Sequence, residues 1–384
     1  MKHLILIFTA GFAACAGCAN IPEDIPQLGD GDISTSYTFS RKTPEAVFTG
    51  PASPVSSYKL FSSEKAPEYD PRGWVFSGSD DGHRWVELDR REEVAFCSRF
   101  QEVTGVVGTP AAYRFYKLTL LPGREQDSIA LGEVRFFDRD IEEPWRGFVY
   151  PEVSFRVEDP DSEGAEAYAR LVQDPDAYAK FHARKVAEIL FFSDRDSIHY
   201  VSRVNYVLRG FDGVAYKTGS GDEISIHFST RHIAKSVGES LAKLDFETRG
   251  VLYHELVHGY QYSPKGCGNY GSNKEFWSFI EGIADAVRAQ SGHFDMRTRR
   301  PGGNWLDGYR TTGFFLQWLT RDDPDAIRKF HRTALELPVW SWDAAIKHLY
   351  GPESSIALKW EEYQTWLKSD ENKNQINYQN HARH

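Results

Sequence analysis

What most constrains this chain is a change in the period of its apolar residues. Between about residues 36 and 138 they alternate in short runs: "SSYKLFSS" (56–63), "GWVFSGS" (73–79), "RWVELD" (84–89), "YRFYKLTLL" (113–121) and "LGEVRFFD" (131–138). Alternation sends every second side chain to one face, as a half-buried strand requires. "SDDGHRW" (79–85) supplies a hairpin turn between two of the runs. No segment here has helical spacing, so 36–140 predicts a β-sandwich. The charged, Pro-containing "DRDIEEPWRGFVYPE" (138–152) ends the pattern and marks a boundary at which two domains should separate. Beyond it, "EVSFRVED" (152–159) reads as a strand and 164–192 carries apolar residues at helical spacing. "RVNYVLRG" (203–210), "GVAY" (213–216) and "EISIHFST" (223–230) return to strands, and helices dominate from 240. This mixed order predicts an α+β domain over 150–370. "EISIHFST" reads either as a core strand or as an edge strand that takes an extended peptide by strand addition.

The stretch "SSYKLFSSEKAPEYDPRGWVFSGSDDGHRWVELDRRE", with "YRFYKLTLL" and "LGEVRFF" after it, resembles the discoidin-like, coagulation-factor type C modules. The resemblance implies a galactose-binding-like jelly roll and a glycan as a candidate partner. A spacer role is the alternative, because no ligand pocket can be picked from the loops.

At the N-terminus, Lys2 and His3 precede an apolar run from Leu4 to Gly17. It is too short for a permanent span and fits the apolar region of a signal peptide (1–18). "CAGC" (15–18) resembles a bacterial lipobox, with Cys18 as the lipidated residue and "FAAC" (12–15) as a second frame ending at Cys15. The expectation is a bacterial cell-envelope lipoprotein, held to a membrane by its N-terminal lipid, with a plain secretory signal as the alternative. Residues 19–35, rich in Pro, Asp and Gly, read as a tether, and 371–384 as a polar tail. Cys97 and Cys267 remain; they fall in different predicted domains, so no disulfide framework is expected. The net charge of −10 repels phosphate backbones and argues against a nucleic-acid partner.

Within "ETRGVLYHELVHGYQY", His254 and His258 are four apart and share one helix face, with Val251, Leu252, Leu256 and Val257 available for burial behind them. Two imidazoles and one further ligand suit Zn²⁺, leaving its fourth position to water, and Glu255 adjoins the first histidine where a carboxylate can reach that water. A metzincin would need Gly at 261 and His at 264; the chain has Gln261 and Pro264. The remaining source is a later helix, "NKEFWSFIEGIADAVRAQ" (273–290), which carries Glu281 and Asp285 on one face. That pair can give one carboxylate to the metal and one to the outer nitrogen of a histidine. Glu275 is a rival ligand, about half a turn away from Glu281. "FIEGIAD" resembles the gluzincin arrangement.

"GVLYHELVHGYQY", "FIEGIADAVR" and "WLDGYRTTGFFLQWL", in that order, with "RVNYVLRGFDGVAYKTG" and "ISIHFSTRHI" before them, resemble the basic secretory protein peptidases of plants and bacteria. The resemblance implies a zincin-like fold and a zinc-dependent endopeptidase of gluzincin type, with His254, His258 and Glu281 as ligands, Glu255 as general base and Asp285 behind a histidine. Tyr309 lies in a shared motif, either stabilising an oxyanion or packing. His227 and His232 lack metal spacing and read as structural; Cys267 sits in a Gly-rich loop next to the motif. The expected substrate is a protein, peptide or glycoprotein. The rivals are a non-catalytic glycan-binding lipoprotein on a zincin-like scaffold, and a zinc hydrolase of a non-peptide bond.

Overall fold

The computed structural model describes residues 25–123, 127–238, 240–369 and 371–372. The signal segment, Cys15, Cys18 and most of the polar tail lie outside the described residues. By contact the described residues form two units, 25–184 with 193–252, and 185–192 with 253–372.

The first unit begins with the sandwich: β1 (Tyr37–Ser40), β2 (Glu45–Thr49), β3 (Ser57–Phe61), β4 (Gly73–Ser79), β5 (Val86–Arg91), β6 (Glu102–Val106), β7 (Phe115–Leu121), β8 (Ser128–Leu131) and β9 (Val134–Phe137). The strands pair antiparallel in the orders β2-β7-β4-β5, β6-β3-β9 and β1-β8. Alternation is clearest in β2, β7 and β9: along β7, Tyr116, Leu118 and Leu120 are buried and their neighbours are not, whereas β3 and β4 are buried on both faces. Phe76 stacks on Tyr116 at 5.5 Å, and Trp74 donates to Tyr58, whose hydroxyl donates to Asp89. Each such ring removed from water contributes on the order of 1.5–3 kcal/mol. Ile25 and Leu28 are buried in this core as well, which corrects the expected tether. Among the described residues the packed sandwich includes Ile25 and Leu28, because these two apolar side chains anchor a segment whose composition reads as linker.

The rest of the first unit is β10 (Glu152–Val157), α1 (Glu163–Leu171), most of α2 (Pro175–Leu190), β11 (Arg203–Arg209), β12 (Ala215–Ser220), β13 (Glu223–Ser229), α3 (Thr230–Val237) and the start of α4 (Leu241–Tyr260). The sheet order is β10-β11-β13-β12, parallel except for the β12–β13 pair. β13 therefore lies between two partners. The edge-strand reading of "EISIHFST" is corrected, and the edges are β10 and β12. Gly164 lets α1 meet α3, since a Cβ there would lie 1.9 Å from the Thr230 carbonyl oxygen.

Inside this unit the sandwich and the α/β part share hydrogen bonds. Ser98 bridges Val172, and the Cys97 carbonyl accepts from Gln173 and Asp174. The buried Arg249 side chain bonds Asp245 at 2.7 Å and donates to the Phe100 carbonyl at 2.9 Å. Arg99, also buried, pairs with Asp70.

The second unit holds the end of α4 with α5 (Lys274–Gln290), α6 (Tyr309–Leu319), α7 (Ala326–Glu336), α8 (Trp342–Tyr350) and α9 (Ile356–Leu367). Asn273 caps α5 by accepting from the backbone N–H groups of Glu275 and Phe276. Phe279, Phe315, Phe330, Trp340 and Trp342 form its aromatic core. α5 and α6 approach closely at Gly313, where a Cβ would lie 2.7 Å from the Asp285 Cβ. Both described cysteines, Cys97 and Cys267, are free thiols, as expected.

Candidate metal centre

All the charged side chains singled out from the H-E-x-x-H helix and its follower, except Glu275, meet within the second unit. Helical spacing puts His254 and His258 on one face of α4, with Leu252, Leu256 and Val257 fully buried behind them. The same spacing on α5 places Glu281 and Asp285 together, both buried.

Asp285 Oδ1 lies 2.7 Å from His254 Nδ1. A carboxylate there accepts the Nδ1 proton, which leaves Nε2 with its lone pair free to coordinate. His254 Nε2, His258 Nε2 and Glu281 Oε2 are 3.3, 3.4 and 3.8 Å apart. The point equidistant from these three atoms in their plane lies about 2.0 Å from each, the length of a zinc–nitrogen or zinc–oxygen bond. His254, Glu255 and His258 also offer ligand atoms within 4.8 Å of one another. The triangle through Glu281 is the tighter of the two and leaves the Glu255 carboxylate beside it. The residues present thus fit a four-coordinate ion with one open position. Glu275 lies in the first turn of α5, where its backbone N–H donates to the Asn273 side chain, and the histidines pair with Glu281 and Asp285 instead.

Electrostatics agree with a seat for positive charge. Burial works to lower the His254 pKa, but its bonds to Asp285 and Glu281 and the charge of Glu255 raise it to about 10. Burial pushes Glu281 up, yet the two histidines and the Tyr270 hydroxyl bring it below the ordinary carboxylate range.

Tyr309 is the first residue of α6, entered through Gly308 at φ 65°. Its ring lies parallel to His254, centroids 6.0 Å apart, and edge-on to Trp277 at 5.6 Å. A non-glycine residue at φ 41° is uncommon, and it is half exposed beside the histidine. Burial, then the charge of Glu281, raises its pKa, so the phenol keeps its proton. His227 and His232 belong to the first unit, where one stacks on Tyr216 and the other pairs with Glu247. Two neighbours of the site escaped the sequence reading. Gln261 Nε2 lies 2.8 Å from His258 Nδ1, and Tyr270 donates to Glu281 Oε1 at 2.6 Å. Gln261 follows His258 by three, a spacing that could have found it; Tyr270 lies in a Gly-rich loop that carries no period.

Several known proteins are similar to parts of the chain. A CBM32 module from Clostridium perfringens, solved in complex with GalNAc-beta-1,3-galactose, is 13% identical, covering 29% of this chain and 81% of that one with a TM-score of 0.25. An F5/8 type C domain from Bacteroides fragilis is 14% identical, covering 33% of this chain and 91% of that one with a TM-score of 0.26. A peptide-N(4)-(N-acetyl-beta-glucosaminyl)asparagine amidase of Arabidopsis thaliana is 31% identical over 86 residues, 21% of this chain; the chain spans 12% of that relative's length. The BSP family, described as "Peptidase of plants and bacteria", matches residues 150–363, more than half of the 384, and the chain belongs to that family.

Proposed function

We propose that the chain is a zinc-dependent peptidase of the gluzincin type with a zincin-like peptidase domain, acting on proteins or glycoproteins. The observation that carries this reading is the His254–His258–Glu281 triangle, sized for a zinc ion, with Asp285 behind His254. Zinc, when bound, supplies a Lewis acid that polarises the scissile carbonyl and acidifies a water.

The chain's own residues do the rest. The Glu255 carboxylate takes one proton from the attacking water and returns it to the amide nitrogen as the C–N bond breaks, so the products are a carboxylic acid and an amine. Asp285 keeps the His254 proton on Nδ1. The protonated Tyr309 phenol donates a hydrogen bond to the carbonyl oxygen as that oxygen gains negative charge. Glycan binding by the sandwich and anchoring through a lipid on Cys18 complete the proposal: a bacterial cell-envelope enzyme. No helix among the described residues is long and apolar enough to cross a membrane.

Glu255→Gln tests the mechanism. Glutamine cannot accept the proton, so turnover of a peptide library should fall ~10²–10⁴-fold while about one zinc per chain is retained. Equal cleavage by the variant, or no cleavage by zinc-loaded wild type, overturns it. A second reading, hydrolysis of a glycosylated asparagine side-chain amide, is favoured by the amidase relative. Mass spectrometry of a glycopeptide digest separates the two, because that reaction leaves the backbone intact and turns asparagine into aspartate.

A further inference from the structure

We propose that Gln261 and Tyr270 are positioning residues of the metal centre, each holding by one hydrogen bond the ligand atom that faces away from the ion. This rests on the metal reading above. Every ligand in the triangle has an inner atom that must present a lone pair and an outer atom that must be satisfied elsewhere. His254 gives its outer Nδ1 to Asp285. The outer atoms of the other two are His258 Nδ1 and Glu281 Oε1, and their partners are Gln261 at 2.8 Å and Tyr270 at 2.6 Å.

The orientation of the Gln261 amide decides what it does. Its Oε1 is buried without a partner while Nε2 faces His258 Nδ1. Oxygen and nitrogen of an amide have the same shape, so the group turned by half a revolution presents Oε1 to a proton on Nδ1 at the same distance. His258 is then fixed in the tautomer that His254 already has, with Nε2 bare. The backbone N–H of Gln261 bonds the Val257 carbonyl, so its side chain rides on the last turn of the helix that carries both histidines.

Tyr270 acts on the carboxylate. Two oxygens compete for a cation, and a hydroxyl donating to Oε1 leaves Oε2 as the one that faces both histidines. The Tyr270 ring is 47% exposed and contributes little to the core, so removing its hydroxyl alone should leave the fold intact.

The test uses the full-length chain, zinc ion alone as the probe, and competition against a chromophoric chelator. Tyr270→Phe and Gln261→Met should each weaken zinc binding ~10–100-fold, with the melting temperature of the metal-free protein unchanged. Gln261→Glu keeps an acceptor at the same place and should bind zinc nearly as tightly as wild type. With Co²⁺ in place of zinc, the visible bands should shift in Tyr270→Phe, reporting an altered carboxylate ligand. Wild-type affinity in both Tyr270→Phe and Gln261→Met overturns the proposal, as does an affinity loss matched by a lower melting temperature. Gln261→Glu binding as poorly as Gln261→Met overturns the acceptor role. Wild type that binds no zinc overturns the proposed function itself and the positioning roles with it.

Discussion

Two buried glutamates, one in each unit, are shifted in opposite directions. Glu133, in the sandwich, is 2% exposed; it accepts from the Gly31 N–H at 3.2 Å and has Arg135 at 3.5 Å, and burial still pushes its pKa up to about 7. Glu281, in the helical unit, is 3% exposed, yet it is held below the ordinary range by two histidines and a tyrosine. Equal burial costs each charge a comparable amount of hydration. What differs is the number of groups aimed at the carboxylate. The sandwich tolerates a carboxyl group that is neutral for much of the pH range, whereas the helical unit is arranged around one that must be charged.

The comparison breaks most clearly at Glu281. Glu281→Ala removes a ligand and should abolish stoichiometric zinc binding in equilibrium dialysis; normal stoichiometry would pass the role to Glu275 or Glu255 and erase the contrast. Glu133→Gln is the counterpart in the sandwich. Because the folded pKa of Glu133, about 7, exceeds its ordinary 4.5, its contribution to stability is fully present below pH 4.5 and is lost as pH rises through 7. Wild type should lose up to about 3 kcal/mol of stability between pH 4.5 and 8 from this group, and Glu133→Gln should flatten that dependence in denaturant titrations. An unchanged slope would show the carboxylate to be charged and solvated, like an ordinary surface acid. The smallest effect is expected at Asp285→Asn, where zinc should bind ~10–100-fold more weakly but still bind. Complete loss there would make Asp285 a ligand and move the centre towards α6.

The charged half of the site was legible because a helix has one period. Residues four apart share a face wherever the helix lies, so His254, His258, Glu281 and Asp285 could be paired before any packing was known. Strands β3, β4, β5, β7 and β9 were legible through alternation, while β1, β2 and β6 were not. "EAVFT" buries only Ala46 and Phe48, and β6 buries little beyond Gly105, so neither run is long enough to show a period. Ile25 and Leu28 were hidden by the prolines and aspartates around them. The placement of β13 between two partners depends on strand order, which a period of two does not encode. Tyr270 depends on where a loop comes to rest, a tertiary outcome with no local signature.

The Arg249 guanidinium settles on the carbonyl of Phe100, a residue at φ 59° in the loop before β6. A sandwich can be exchanged for another as a unit when its hydrogen bonds close on themselves. Here the outline is open: a replacement without residues 96–101 would strand a guanidinium without its backbone acceptor and leave the backbone N–H groups of Gln173 and Asp174 without theirs. Exchanging the sandwich therefore means keeping that loop, because its six residues carry the backbone groups that the α/β part bonds.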